Sequence, residues 1–270
     1  MALTNLLFDG ITTLVLMLVL YVLSHIVLRF GLIPLCAALS FSGFNSFLFY
    51  LFILPGTVVH ELSHLLACLL TGVKVRDFRL FSPQKNGVVG WVTYARVDIF
   101  RRNLVSLAPF VGSALVLYLL SRYFFSHTGI ALAPVHLRPA PNDLGHTAIA
   151  LIELVRSIFG RADFRHWQTW LFLYLAFSLS YGIAPSPIDL SHVFVDALIF
   201  AGAGILAVYA ENTWRLGILN SSLLAQIAGW ISLVLERLNA LLFFSAAVVI
   251  FSSLFLLPVA YLAYKLRRGD

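Results

Sequence analysis

The chain has 270 residues, of which 60% are hydrophobic and only 11% are charged. Because soluble domains carry roughly a quarter of charged residues, this composition excludes an ordinary soluble enzyme and a disordered chain. The net charge of +6 comes from basic residues that punctuate long apolar runs, which argues against a nucleic-acid-binding protein, whose Lys and Arg cluster on a polar face. We therefore expect a polytopic helical membrane protein.

Apolar runs long enough to cross a bilayer as a helix, about 20 residues each, recur along the chain. The predicted spans are residues 11–28, 46–72, 103–125, 168–185, 191–210 and a sixth from about Leu241. Residues 221–264 are too long for one span, so we expect an amphipathic interfacial helix before the sixth span. Residues 30–45 are predicted to form a re-entrant or interfacial segment, so the number of transmembrane helices could differ from six by one. The expected fold is all-α, with about six transmembrane helices in a single integral-membrane domain over 1–270.

Two segments lie outside the predicted spans. Residues 73–102 contain an alternating run, VRDFRLF, a turn signal at Asn86-Gly87 and a second run, VVGWVTYARV. This pattern predicts a β-hairpin at the membrane surface. Residues 126–167 contain three prolines and then a predicted helix from Asn142 or Asp143 to Gly160, for which the sequence indicates no function.

The basic residues give a predicted orientation. The side with the hairpin carries 10 Lys and Arg, including the tail residues Lys265, Arg267 and Arg268, and the opposite side carries 8. Short, charge-dense segments determine membrane topology most strongly, so the hairpin side is predicted to face the cytoplasm. We expect a multi-pass protein of a bacterial-type cytoplasmic membrane, with its active site toward the cytoplasm.

The second span contains His60-Glu61-Leu62-Ser63-His64, which matches H-E-x-x-H. Residues four apart on a helix share one face, so both imidazoles can bind one ion. Glu61 would then act as general base on an activated water. Three ionisable residues inside an apolar span need a compensating partner, and a metal ion supplies one. The alternative is a polar cluster satisfied by neighbouring helices.

A catalytic zinc normally has three protein ligands and a water, so another span must supply the third ligand. Asp189 is one of few acids near the membrane and follows a helix-breaking Pro-Ser-Pro run. It fits this role, although it also fits the N-cap of the fifth span. His192 and Asp196 are the alternative ligands. Cys68 is excluded because it lies about 12 Å from His60 along the helix axis.

At this point the chain resembles the site-2 protease family of intramembrane zinc metalloproteases over about residues 46–200. HELSH at 60–64 matches the family's HExxH motif, and the hairpin at 73–98 follows in the family's order. Ala108-Pro109-Phe110-Val111-Gly112 stands where that family has GPxxN, and Pro185-Ser186-Pro187-Ile188-Asp189 stands where it has NPxDG. The resemblance implies zinc bound by His60, His64 and Asp189, with Glu61 as the catalytic base.

Two positions depart from the family pattern. Gly112 replaces the Asn that is expected to hold substrate, with Ser113 beside it, and Leu190 replaces the Gly after the Asp. The chain is therefore expected to be a divergent member. The hairpin is expected to bind an unwound substrate by β-augmentation, along Val89, Gly90, Trp91 and Val92. Equally, its aromatic residues could only anchor it at the membrane interface.

The predicted function is an intramembrane zinc endopeptidase that cleaves a membrane-anchored protein within or near its transmembrane segment. The alternative is a non-catalytic protease-like subunit or scaffold that retains a zinc site, which would show a fourth protein ligand such as His192. A transporter is the weaker reading, because we find no pair of similar halves. The expected partners are the protein substrate and the lipid bilayer, with a membrane-protein complex or homo-oligomer also open, and no nucleic acid.

Overall fold

The computed structural model describes residues 2–33, 44–82, 89–128, 160, 163–184, 186, 188–193, 195, 202, 213 and 222–268. The predicted helix within 142–160, the candidate ligand Asp196 and most of the predicted span 191–210 lie outside these residues. In chain order the elements are α1 (Ala2–Ile26) with a π-helical turn (Val27–Leu32), α2 (Phe44–Leu70), β1 (Val75–Arg79), β2 (Trp91–Tyr94), α3 (Ile99–Thr128), α4 (Trp167–Ile183) and α5 (Ser222–Arg268).

Four helices of the described residues are long and apolar enough to cross a membrane. Their apolar stretches are Asp9–Leu32, Tyr50–Leu70, Ile99–Phe124 and Gln226–Ile250. This confirms a helical membrane protein with a small hairpin, but four spans are found where about six were expected. The fourth predicted span forms α4, whose 17 residues are roughly 25 Å long as an α-helix.

The C-terminal region differs from the prediction. Residues 222–268 form one continuous helix, and its apolar stretch begins at Gln226 instead of Leu241. Of the polar residues that suggested an interfacial helix, Asn239 faces another helix, since its side-chain amide donates to the carbonyl oxygen of Asp9 in α1, whereas Gln226 and Arg237 are exposed. A polar stripe that is satisfied by a neighbouring helix has the same sequence pattern as one that faces water.

The arrangement of α2, α3 and α4 determines where the HELSH segment lies. The helices α2 and α4 run parallel, since matched contacts follow the same order along both: Leu51 with Tyr174, Gly56 with Ser178, and His60 with Gly182. The helix α3 runs back between them, with Phe124 at its far end packed on Phe172 near the start of α4. The main apolar core lies between α1, α3, α4 and α5, and α2 borders it through Val59.

The first and last helices also run parallel. Contacts advance in the same direction along both helices: Asp9 hydrogen-bonds to Ser232, and Thr13, four residues later, hydrogen-bonds to Asn239. The π-helical turn that follows α1 also packs on α5. Leu32 in that turn packs near Tyr50 at the start of α2. The C-terminal tail therefore lies at the end of the bundle opposite to the hairpin connection. This arrangement differs from the predicted placement of the tail on the hairpin side, so the tail does not support the predicted orientation.

The predicted hairpin forms a two-stranded antiparallel sheet with Arg79 opposite Trp91. It folds back along α2 toward the middle of the bundle. The ring of Phe81 packs edge-on against Tyr50 at 5.9 Å between centroids, and Val89 joins the same cluster. The predicted Asn-Gly turn lies outside the described residues. The hairpin thus lines the side of the helix that carries His60 and His64.

Candidate metal centre

The structure brings His60, His64 and Asp189 together inside the bundle. Both histidines lie on one face of α2, with ring centroids 4.9 Å apart. The Nε2 atoms of His60 and His64 lie 3.7 and 3.5 Å from Oδ2 of Asp189. All three residues are buried, each with at most about a tenth of its surface exposed. We refer to these three residues as the HHD cluster.

Backbone carbonyls fix the orientation of both imidazoles. Nδ1 of His60 donates to the carbonyl oxygen of Gly182 at 2.6 Å, and Nδ1 of His64 donates to that of Val105 at 2.8 Å. Because a carbonyl oxygen can only accept, the proton resides on Nδ1 and the Nε2 lone pair faces Asp189. Metal-ligating histidines in proteins are oriented in this way.

The helices α2 and α4 approach each other closely, which brings the carbonyl of Gly182 next to His60. A Cβ atom at Gly56 would collide with the backbone carbonyl of Ser178, and one at Gly182 would collide with that of Gly56. The amide N–H of Gly56 donates to Oγ of Ser178 at 2.9 Å, which ties the two helices at the crossing. The two glycines therefore place the Gly182 carbonyl within reach of His60.

Asp189 enters from a separate short helical segment, residues 188–193, which we call the Asp189 segment. Ser186 caps it: the amide of Asp189 donates to Ser186 Oγ at 3.1 Å, and this hydroxyl donates to Asp189 Oδ2 at 2.5 Å. The N-cap role considered for Asp189 is therefore filled by Ser186. The Asp189 carboxylate faces the two imidazoles.

The HHD cluster fits a tetrahedral metal ion. Ligands about 2.0–2.1 Å from zinc in tetrahedral geometry are separated from one another by about 3.3 Å. The imidazole–carboxylate separations in the cluster are close to this value, and its three donor atoms all lie within 4.8 Å of one another. Two neutral imidazoles and one carboxylate are a donor set suited to zinc. The cluster can therefore hold a metal ion.

Glu61 lies beside the cluster, facing the hairpin. It is buried, and a Cβ atom at Gly90 would lie 2.8 Å from its Cγ atom. Only glycine at position 90 lets the hairpin approach this carboxylate so closely. Glu61 is not one of the three donors that converge on one point.

Of the two alternative ligands, Asp196 lies outside the described residues, and His192 is not part of the cluster. Nδ1 of His192 lies 3.3 Å from Oγ of Ser106, and His192 is not among the converging donors. Cys68 is fully buried and packs with Val73 and Val105 in a separate apolar cluster. This placement agrees with the exclusion of Cys68 from the sequence.

The predicted substrate-binding residues fall into two groups. Val89, Gly90, Trp91 and Val92 lie on the hairpin, next to α2. Trp91 donates its Nε1–H to Oδ2 of Asp77 at 2.8 Å across the sheet. Gly112 lies instead at the crossing of α2 and α3, because a Cβ atom there would collide with Ser63. Ser113 is fully buried, and its hydroxyl has no hydrogen-bond partner among the described residues.

Several residues that build the site were not predicted. The carbonyls of Gly182 and Val105 orient the histidines, and a backbone acceptor leaves no mark in a sequence. Ser186 did leave a signal, since Ser-x-x-Asp is a capping pattern in which Ser and Asp side chains are neighbours. Neither Gly56 nor Ser106 stands out without knowledge of the neighbouring helix.

A buried donor cluster on a membrane-embedded HExxH helix defines a membrane protein with a candidate metallopeptidase centre. A family model described as Peptidase M50B-like matches residues 32–185, more than half of the chain. The chain belongs to this family, which supports its membership of the site-2 proteases and places it among membrane metalloproteases. No curated protein and no solved structure shows a significant match to the chain.

Proposed function

We propose that this chain is an intramembrane zinc endopeptidase that hydrolyses a membrane-anchored protein within or near its transmembrane segment. The observation that carries the proposal is the HHD cluster, in which both Nδ1 atoms are held by backbone carbonyls and both Nε2 atoms face one carboxylate. Family membership supports the same conclusion. We propose His60, His64 and Asp189 as zinc ligands and Glu61 as the catalytic base.

Each residue has a defined task in this proposal. Zinc bound by the HHD cluster supplies Lewis acidity and lowers the pKa of water toward about 7. Glu61 takes a proton from the attacking water and delivers it to the amine leaving group. The carbonyls of Gly182 and Val105 keep each imidazole in the tautomer that leaves Nε2 free. Burial excludes bulk water and strengthens the electrostatic interactions between these groups.

The hairpin is proposed to hold the unwound substrate. A transmembrane helix keeps its peptide bonds hydrogen-bonded within itself, so it must unwind before hydrolysis. A substrate strand paired with the hairpin would lie next to Glu61, because Gly90 directly contacts that side chain. Interfacial anchoring explains Trp91 less well, since its indole N–H donates to Asp77 within the hairpin.

The charges around the hairpin connection support a cytoplasmic active site. Six of its described residues are basic and two are acidic: Lys74, Arg76, Arg79, Arg96, Arg101 and Arg102 against Asp77 and Asp98. Short loops with this bias stay on the cytoplasmic side.

Substitution Glu61→Gln tests the proposal. The amide keeps the shape of the side chain but cannot accept the proton, so we expect full zinc content and loss of proteolysis by at least 100-fold. Zinc is measured in the purified, detergent-solubilised protein. Proteolysis is measured by mass spectrometry of membrane-protein fragments in cells that produce either form of the protein.

Substitution Glu236→Gln on α5 is the matched control, since it makes the same chemical change away from the cluster and should leave fragments unchanged. Identical fragment patterns for Glu61→Gln and the unchanged chain would contradict the peptidase proposal.

The scaffold alternative has one observation in its favour. Gly112 occupies the position of a family Asn, and it is used to pack α3 against Ser63 of α2. A closed site would need a fourth protein ligand, but the candidate His192 faces Ser106 instead. X-ray absorption of the zinc-loaded protein separates the two functions: three protein ligands with an oxygen from solvent support the peptidase, and four protein ligands support the scaffold.

A further inference from the structure

Ser106 of α3 is a buried meeting point of three elements beside the HHD cluster. Its side chain has no exposed surface. Its Oγ atom lies 3.3 Å from Nδ1 of His192, which belongs to the Asp189 segment. The side chain of Tyr94, the last residue of β2, lies close to it. One hydroxyl group in the interior thus connects α3, the hairpin and the segment that carries Asp189.

The Asp189 segment needs such a connection because it is not a continuation of α4. The helix ends at Ile183, and Ala184 adopts φ −58° and ψ 129°, the extended conformation expected before a proline. The chain then starts a new helical turn, in which the amide of Leu190 donates to the carbonyl of Ser186 at 2.9 Å. The position of Asp189 therefore depends on lateral contacts and not on the axis of α4.

His192 is placed to make the decisive contact. It follows Asp189 by three residues, so both side chains lie on the same side of one helical turn. Ser106 follows Val105, whose carbonyl oxygen accepts the hydrogen bond from His64. The bond between His192 and Ser106 therefore joins the segment that carries Asp189 to the part of the α3 backbone that orients His64.

We propose that His192 is a positioning residue that, through its hydrogen bond to Ser106, holds the Asp189 carboxylate against His60 and His64. This inference rests on the proposed zinc site and adds to it a residue whose role is to fix a ligand, not to bind the ion. Residues that orient metal ligands typically contribute 10–100-fold to metal affinity.

The test compares His192→Ala, Ser106→Ala and the double substitution in the full-length protein in detergent. Zinc affinity is measured by competition with a chelator, independently of proteolysis. We expect each single substitution to weaken zinc binding about 10–100-fold, and the double substitution to weaken it no further, because both remove the same bond. His192→Asn should recover part of the affinity, because its amide nitrogen can occupy the position of Nδ1.

A second measurement tests the hydrogen bond between His192 and Ser106 in the protein without metal. In the zinc-free protein, amide hydrogens of residues 188–193 should exchange faster in both single variants. Ser191→Ala is the matched control in the same segment, because its hydroxyl donates only to the carbonyl of Ile188 within its own turn. Ser121→Ala is the control on α3, where the hydroxyl donates to the carbonyl of Tyr118. Neither control should change zinc affinity or exchange.

The outcomes separate this inference from the proposed function. Wild-type zinc affinity and wild-type exchange rates in both single variants would overturn the positioning role of His192 and leave the peptidase proposal intact. Weak binding in His192→Ala with normal binding in Ser106→Ala would overturn it too, because His192 would then act directly as a ligand. Absence of zinc binding in the unchanged chain would overturn the peptidase proposal. The exchange rates alone would then show whether the bond between His192 and Ser106 holds residues 188–193 in place.

Discussion

Gly56 and Gly182 face each other where α2 crosses α4, and neither position has room for a side chain. The atoms in the way belong to backbone, at Ser178 and Gly56, so they cannot rotate aside as a side chain would. A methyl group at either position must push the two helices apart. Such a shift would withdraw the Gly182 carbonyl from Nδ1 of His60 and release the imidazole from its fixed orientation.

We therefore expect Gly56→Ala to destabilise the protein by about 1–3 kcal/mol and to weaken zinc binding as well. Thermal unfolding in detergent and chelator competition measure the two effects. Gly229→Ala is the control: Gly229 lies in α5 with open space around its Cα atom, so alanine there should be neutral or stabilising by up to about 1 kcal/mol. A Gly56→Ala protein as stable as the control would show that the crossing tolerates a wider separation.

At the scale of elements, α1 and α5 are joined by a buried polar cluster that lies in both apolar stretches. Ser232 donates to the carboxylate of Asp9, and Asn239 donates to the carbonyl oxygen of the same residue at 3.0 Å. Thr13 donates to Oδ1 of Asn239 at 2.8 Å. Because α1 and α5 both lie largely outside the matched family region, this cluster joins the two terminal helices to each other.

Hydrogen bonds between membrane helices contribute about 0.6–2 kcal/mol each. Ser232→Ala removes the hydroxyl group that donates to Asp9, and it leaves a buried carboxylate oxygen without that partner. We expect the free energy of unfolding to fall by about 1–2 kcal/mol, as measured by reversible unfolding in mixed micelles. Ser245→Ala on the same helix is the comparison, since that buried hydroxyl donates to Leu241 within its own helix. Equal losses in both variants would mean that the contact between helices adds nothing.

At the scale of the molecule, the HExxH motif, Asp189 and the hairpin could be predicted from the sequence, but the packing between helices could not. The spacing of His60 and His64 needs only helical periodicity, and Asp189 stood out because acids are scarce in this chain. The carbonyls that orient both histidines carry no side-chain signal, so no pattern could reveal them. Asn239 of α5 could not be assigned to a helix contact for a related reason, since its partner, Asp9, is 230 positions away.

The parallel packing of α1 and α5 has a consequence for membrane topology. The end of α5 near Lys265 and the hairpin connection near Arg96 should face opposite sides of the membrane, because α5 follows α1 away from that connection. The sequence prediction had placed both on one side. Single-cysteine variants Lys265→Cys and Arg96→Cys, made in a chain whose two native cysteines, Cys36 and Cys68, are replaced by serine, distinguish the two arrangements in sealed vesicles with a membrane-impermeant thiol reagent. Both positions are exposed, and the cysteine-free chain provides the background.

We expect the reagent to label one variant in intact vesicles and the other only after the membrane is opened. If the proposed cytoplasmic active site is correct, Arg96→Cys is labelled from the cytoplasmic face, since the basic hairpin connection would remain there. Labelling of both variants from the same face would contradict the parallel arrangement of α1 and α5. Labelling of Arg96→Cys from the outer face alone would keep that arrangement and reverse the orientation, so that the Glu61 carboxylate would lie toward the opposite side.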